Sequence, residues 1–186
     1  MGGPGRGGEQ PVGSGTVFDV VLETKRLRLR PYRQEDLDDL AEMFGDPEHM
    51  TWYPAPFTRE ETRAWMDRQA ARYRDDGFGL FVLELLADGR FAGTAGPTIQ
   101  DVDGERLVEI GWHVRPALKG RGLAPEAGAA ARDWAFANTD VDHVISLIRP
   151  ENVGSVRVAE KLGFRVDRET VRAGFRHRVY RFDRPV

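Results

Sequence analysis

The stretch RPALKGRGLAPEAG, residues 115 to 128, sets two glycines one residue apart among three cations, just ahead of an alanine-rich run of helical character. A helix start presents N–H groups without intrahelical partners and the positive end of the helix dipole. Gly120 and Gly122 carry no Cβ, so a ligand can approach the backbone closely, and Arg115, Lys119 and Arg121 add positive charge. These residue types in this order describe a cradle for phosphate oxygens. A P-loop would need Gly-Lys-Ser/Thr after its spacer, which is missing. A dinucleotide fingerprint would need a third glycine where Pro125 stands, on repeated parallel βαβ units that the chain lacks. Pro125 instead suits the first turn of a helix. A glycine turn that caps a helix and binds nothing would use the same residues.

The remaining reactive side chains narrow the possible chemistries. The 186 residues include no cysteine, which removes disulfides, thiolate zinc sites and thiol-bound acyl intermediates, and fits a reducing compartment such as the cytoplasm. His49, His113, His143 and His177 are scattered, with no His-x-x-x-His pair, so a metal hydrolase is excluded on spacing and no metal is expected. A net charge of −3 argues against nucleic acid as a partner. No apolar run approaches the ~20 residues of a membrane span, so no membrane partner is expected.

The elements that must position the cradle follow from periodicity. Leu27 and Leu29 alternate with arginines in a strand ended by Pro31. Leu37, Leu40, Ala41 and Phe44 give a first amphipathic helix. Thr58 and Glu61 have capping-box spacing before a second, in which Trp65, Met66, Gln69, Ala70 and Tyr73 share a side. A hairpin turns at residues 87–90, between a run from Phe81 to Leu86 and an arm starting at Phe91. Leu107 to Val114 is a strand, and Leu123, Ala127, Ala130, Ala131 and Trp134 line one face of a third helix. A strand ending at Pro150, a short helix closed at Gly163 and two strands around Ala173-Gly174 complete the chain. The order β-α-α-β-β-β-α-β-α-β-β predicts one α+β domain, a mixed and mostly antiparallel sheet flanked by about four helices. The first fifteen residues hold seven glycines and two prolines, so 1–16 reads as a flexible tail ahead of a domain at 17–186.

EIGWHVRPALKGRGLAPEA followed by IRPENVGSVRVAEKLGF resembles the GNAT superfamily of acetyl-CoA-dependent N-acetyltransferases, and more narrowly its RimJ/RimL-like branch, which acetylates N-terminal amines of ribosomal proteins. LETKRLRLRPYRQEDLDDL and the element order match that branch as well. The resemblance implies acetyl-CoA as co-substrate, no metal, and direct attack by an amine in a ternary complex. It carries the pyrophosphate signature onto Lys119, Gly120, Arg121, Gly122, Leu123 and Ala124. The signature's leading Arg/Gln falls on Ala117, leaving Arg115 or Lys119 to supply that contact. The pantetheine arm would pair with the strand at Gly111, Trp112, His113 and Val114, which splays from its neighbour; Gly111 is either a bulge that opens the strands or a concession to close packing.

The resemblance further makes Glu109 the first choice for general base, against a plain ion pair across the sheet, with His113 a weaker candidate. Asn152 would bond the pantetheine amide, and suits a helix N-cap equally. Many family members place a tyrosine acid seven residues after this asparagine; here that place is Ala159, and Ser155 is the substitute proton donor. The acceptor, a protein N-terminus or a small amine, would meet Trp52 and Tyr53, with Phe78, Tyr180 and Glu84 as lesser candidates. The arginines from Arg165 to Arg181 could attract an acidic acceptor or form a solvated face. A non-catalytic acyl-CoA sensor or interaction module is the alternative. The oligomeric state, a homodimer being one option, is not readable from the residues.

Overall fold

The computed structural model describes residues 22–185; the expected tail at 1–16 lies outside them. The strands are β1 (Leu22–Glu23), β2 (Leu27–Arg30), β3 (Phe81–Leu85), β4 (Phe91–Val102), β5 (Glu105–Val114), β6 (His143–Ile148), β7 (Arg165–Arg172) and β8 (Phe175–Asp183). The helices are α1 (Leu37–Gly45), α2 (Arg59–Asp75), α3 (Leu123–Asn138) and α4 (Val153–Lys161). All eight strands form one sheet, ordered β1-β2-β3-β4-β5-β6-β8-β7. Every neighbouring pair is antiparallel except β5 and β6. This is the α+β architecture expected from the element order.

Local chemistry sets the boundaries. Thr58 and Glu61 form the anticipated capping box on α2, with Thr58 N donating to Glu61 Oε2 and Glu61 N to Thr58 Oγ1. Helix α4 ends in a Schellman turn: Phe164 N donates to Ala159 O and Gly163 N to Glu160 O. The β4–β5 connection was not anticipated as a hairpin. Asp103 and Gly104 both adopt left-handed backbone there, φ 56° and 85°, the conformation a two-residue turn requires, and Asp-Gly is its sequence signal.

Packing covers both faces of the sheet centre. Leu27, Leu29, Phe81 and Leu83 pack with Leu123 and Ala127 of α3, while Val82 and Phe91 pack with Leu40, Phe44 and Met66 of α1 and α2. On α1 the buried stripe takes Met43 where Ala41 was expected, and on α2 it takes Thr62 while Ala70 is exposed. Helix α3 buries only small side chains after its first turn, Ala127, Gly128, Ala131 and Ala135. Ala130 and Trp134, expected on that face, are half-buried at its margin. The helix comes so close to its surroundings that a Cβ on Gly128 would lie 2.8 Å from Leu162 Cδ1 and 3.3 Å from Trp112 Cε3.

One departure from regular pairing matters most. Strands β5 and β6 pair at Glu109 and Ile145 and then part. Side chains take over the freed backbone groups: Leu147 N donates to Glu109 Oε1 at 3.2 Å, and Ser146 Oγ donates to Ile110 O at 2.7 Å. Gly111 is not a bulge, because β5 runs in unbroken register along β4 through the Gly96–Gly111 pair. Nor does close packing demand it, since an added Cβ would sit at ordinary contact distance, 3.5 Å from Leu80 Cδ2. Close approach occurs instead at Gly93, opposite Val114, with φ 143°, where an added Cβ would fall 2.0 Å from His113 O. Gly93→Ala is therefore expected to destabilise the fold by about 2 kcal/mol or more, while Gly45→Ala should change it by less than ~1 kcal/mol. Denaturant unfolding of the two variants checks this; equal stability would mean the β4–β5 approach is looser than described.

Candidate active site

Two cavities flank the open edge of β5. The larger, about 610 Å³, is lined by Lys119, Gly120, Gly122, Leu123 and Ala124 at one end and by Trp112, His113 and Val114 along the strand. The smaller, about 360 Å³, contains Glu109. Both touch Trp52, Tyr53, Trp112, His113, Asn152 and Ser155, so these six side chains form a shared wall. The residues expected for cofactor, catalysis and acceptor thus gather in one place, with exceptions given below.

The cradle lies between a 3-10 turn at Pro116–Leu118 and α3. Gly120 and Gly122 are left-handed, φ 78° and 76°, and a Cβ on Gly120 would meet nothing within 4 Å. Glycine is needed there for backbone shape, and the amides stay uncovered. The loop is held from behind by a device not visible in the sequence. Arg26 donates to Arg121 O at 2.7 Å and Gly122 O at 3.1 Å, and from Nε to Glu126 Oε2 at 2.7 Å in the first turn of α3. Thr24 Oγ1 donates to Glu126 Oε1 at 2.6 Å. Arg115 cannot serve as a free cation, since it pairs with Asp39 at 2.9 Å and Glu42 at 2.5 Å on α1. The Arg121 side chain is exposed and lines a separate groove with Lys25 and Arg26, so only its backbone belongs to the cradle. Lys119 remains, joined by Arg157 and Lys161 one turn apart on α4.

Glu109 lines the smaller cavity and is half-buried. Burial raises its pKa; the Leu147 N–H, then the Arg172 charge, the Gln100 side chain and the Arg72 charge, oppose that rise. Asn152 Oδ1 accepts from Ser155 N at 3.1 Å, so the N-cap role is filled, and its amide nitrogen remains for a ligand in either cavity. Ser155 lies on the shared wall, whereas Ala159, one turn on, is fully buried in the core and touches neither cavity.

His113 is a packing residue as much as a cleft residue. Its ring lies edge-on to Phe44 and 5.7 Å from His49, and Tyr53 Oη approaches its Nε2 to 3.3 Å. Burial, then the neighbouring His49, pulls His113 down to about 3; burial, then Lys119, pulls His49 down to about 4. Both rings are neutral at physiological pH, and so weak a base as His113 is poorly matched to the proton of an ammonium group. Tyr53 is exposed overall, but desolvation of its hydroxyl in the cleft, reinforced by the Glu109 charge, raises the phenol, which stays protonated.

The lesser acceptor candidates fall away. Phe78 packs against Trp134, and Tyr180 is fully buried in the core. Glu84 is held by Arg30, whose guanidinium also pairs with Asp36, an ion-pair cluster beneath β2. Other residues take their place: Arg72, Arg149 and Phe175, which had no sequence signal, line the smaller cavity with Arg172, one of the arginines considered for an acidic acceptor. Among the described residues, no three His, Asp or Glu side chains gather as a metal site, and no helix is long and apolar enough to cross a membrane.

The sequence matches the family model described as the acetyltransferase (GNAT) domain over residues 26–165. It is 33% identical over 143 residues to the uncharacterized protein YkkB of Bacillus subtilis (strain 168), covering 76% of this chain and 83% of YkkB. It is 26% identical over 156 residues to the spermidine N(1)-acetyltransferase of Escherichia coli (strain K12), covering 83% and 81% respectively. The solved acetyltransferase from Agrobacterium tumefaciens str. C58 superposes with a TM-score of 0.80 at 28% identity, covering 96% of this chain and all of that one.

The histidine pair has a measurable consequence. A group whose folded pKa is depressed leaves the unfolded chain binding more protons, so stability is full above the unfolded value near 6.5 and falls as pH drops toward the folded values near 4 and 3. Melting temperature should therefore decline between pH 6.5 and 4, and His49→Phe should flatten that decline. A profile identical to the parent's would show that His49 is not held neutral by its surroundings.

Proposed function

The chain belongs to the GNAT acetyltransferase family, and from that premise we propose that it transfers an acetyl group from acetyl-CoA to a primary amine, by direct attack in a ternary complex. The observation that carries this is the pair of cavities, one ending on left-handed glycines and the other lined by a half-buried carboxylate, joined along the unpaired edge of a strand.

Acetyl-CoA fits the residues present. Lys119, Gly120, Gly122, Leu123 and Ala124, with the Arg121 amide, would hold the pyrophosphate. The free edge of β5 at Trp112, His113 and Val114 would pair with the pantetheine amides, and the Asn152 amide would add a bond. The co-substrate supplies an activated thioester. The chain must then deprotonate the amine, offer N–H groups to the carbonyl oxygen and stabilise the sulfur as it leaves. Glu109, with its raised pKa, takes the proton directly or through water. A backbone N–H near His113 or Val114 polarises the carbonyl; alternation along β5 puts Val114, like Ile110, on the open side. Ser155 donates a hydrogen bond to the thiolate, the role that Ala159 cannot fill.

In the narrower reading the acceptor is an N-terminal α-amino group, as in the RimJ/RimL-like branch. An α-amine titrates near 8 against roughly 10.4 for lysine, so it asks less of a carboxylate base. The second reading, a non-catalytic acyl-CoA binder, is favoured by the alanine at 159. It would show coenzyme A-dependent thermal stabilisation and no thiol release with any amine.

Valine at both Gly120 and Gly122 forces a β-branched residue into left-handed backbone. Coenzyme A affinity should fall at least about tenfold by calorimetry, with circular dichroism confirming the fold; undiminished affinity in a folded variant sinks the cradle. Glu109→Gln should lower kcat about a hundredfold or more and abolish the rise of rate with pH through the Glu109 pKa. A folded pKa raised above the unfolded value means stability is greatest below the unfolded pKa and is lost as pH rises through the folded one. Glu109→Gln keeps an acceptor for Leu147 N, so its melting temperature at pH 8 should equal or exceed the parent's. A normal rate profile in that variant removes Glu109 from catalysis.

A further inference from the structure

The smaller cavity carries a charge opposite to that of the molecule. The chain is −3 overall, yet Arg72, Arg149 and Arg172 line this cavity beside a single carboxylate, Glu109. Two of the three are anchored by neutral oxygens: Arg72 donates to Ile99 O at 3.0 Å, and Arg172 to Asp101 O at 2.9 Å and Gln100 Oε1 at 3.0 Å. These bonds fix the guanidinium groups without neutralising them. Elsewhere the protein does otherwise with a buried arginine, as Arg30 between Asp36 and Glu84 shows.

Arg149 is the least satisfied of the three. Its guanidinium lies 4.2 Å from the Phe175 ring centroid and 5.7 Å from that of Trp52, and 20% of the side chain is exposed. Ring contact uses the flat face of the group and leaves the in-plane donors free. Among the described residues the Arg149 guanidinium makes no hydrogen bond; its Nε is buried without one, and its ion pair with Glu151 is long, at 3.8 Å. A stacked, half-buried fork of donors without a hydrogen-bond acceptor matches the planar geometry of a carboxylate. Glu109, and Glu151 through its long pair with Arg149, can offset two of the three cations, so the cavity retains positive charge even with both carboxylates ionised.

We propose that the acceptor amine carries a carboxylate, and that Arg149, backed by Arg172, receives it while the amine lies toward Glu109. This rests on the acetyl-transfer reading and names its substrate class: an α-amino acid or close derivative, or a peptide whose N-terminal amine is followed by an acidic side chain. A second ammonium group, as in a polyamine or an aminoglycoside, would face like charge on three sides. The arginines of the last strands do not share this role. Arg176, Arg178 and Arg181 pair with Glu169 and Asp183 at the surface, and Arg172 alone among them turns into the cavity.

The test compares isosteric pairs in a thiol-release assay with acetyl-CoA: phenylalanine against phenylalaninamide, and a Ser-Asp-initiated peptide against its Ser-Asn counterpart, with spermidine alongside. The expected result is kcat/KM at least about tenfold higher for the acid of whichever pair reacts, collapsing to about one in Arg149→Gln and partly retained in Arg149→Lys. The pair that reacts separates the free amino acid from the peptide. Thiol release with acid and amide alike, or with spermidine best, overturns the carboxylate and leaves acetyl transfer standing. If no amine releases thiol, calorimetry with N-acetylphenylalanine and its amide in the presence of coenzyme A decides. An acid bound tenfold tighter, and lost in Arg149→Gln, keeps the anion site and overturns the transfer; no binding of either overturns both.

Discussion

Where β5 and β6 separate, two strands that began a parallel ladder at Glu109 and Ile145 leave backbone groups that must still find partners in the interior. An unpaired buried amide costs about 1–3 kcal/mol, so a split sheet persists only if something replaces the ladder. Here Ser146 Oγ and the Glu109 carboxylate do so, one on each side of the gap. The rest of the site depends on this substitution. It leaves one edge of β5 free, it lets two cavities form against that edge, and it fixes a carboxylate in the smaller of them. The same bond also tunes the chemistry: the Leu147 N–H opposes the burial that raises the Glu109 pKa, so the group is held between the needs of a base and those of a strand terminator.

Around that gap, charge is sorted by what each arginine touches. Arg30 and Arg115 are neutralised by carboxylates and serve as struts between β2, β3, β5 and the first helical segment. Arg26 grips loop carbonyls and Glu126 and holds the cradle in shape. Arg72 and Arg172 are tethered by carbonyl and amide oxygens and keep their charge. A sequence containing 27 basic and 30 acidic residues shows the balance of these groups but not their partners. An ion pair between Arg30 and Asp36 is local, but the links from Arg26 to Glu126 and from Arg172 to Gln100 span 100 and 72 residues.

Helix α3 shows how packing and site are coupled. Its buried face is alanine and glycine, which lets the helix lie close against Trp112 and Leu162. A closely seated helix brings its N-terminal amides to the end of β5, so the cradle and the open strand face one cavity. Larger side chains on that face would lift the helix and separate the two.

The sequence by itself determined the elements and the cradle, because these rest on local rules: alternation in β2, the Thr58–Glu61 capping box, glycines with positive φ before a helix, the Gly163 closure of α4. It determined the family as well, since the motifs that carry the resemblance are contiguous. Tertiary structure alone decided which side chains share a cavity. Arg149 carries no local signal that it stacks on Trp52 and Phe175, elements brought together only by the sheet. Glu84 and Tyr180 read as candidates until burial put one in an ion pair and the other in the core. Gly111 was a candidate for opening the strands by a bulge, whereas the register is unbroken there and the freed backbone groups are taken up across the gap by Ser146 and Glu109. Periodicity reports which face of an element is buried; what that face meets is set by long-range pairing, which no short window of residues contains.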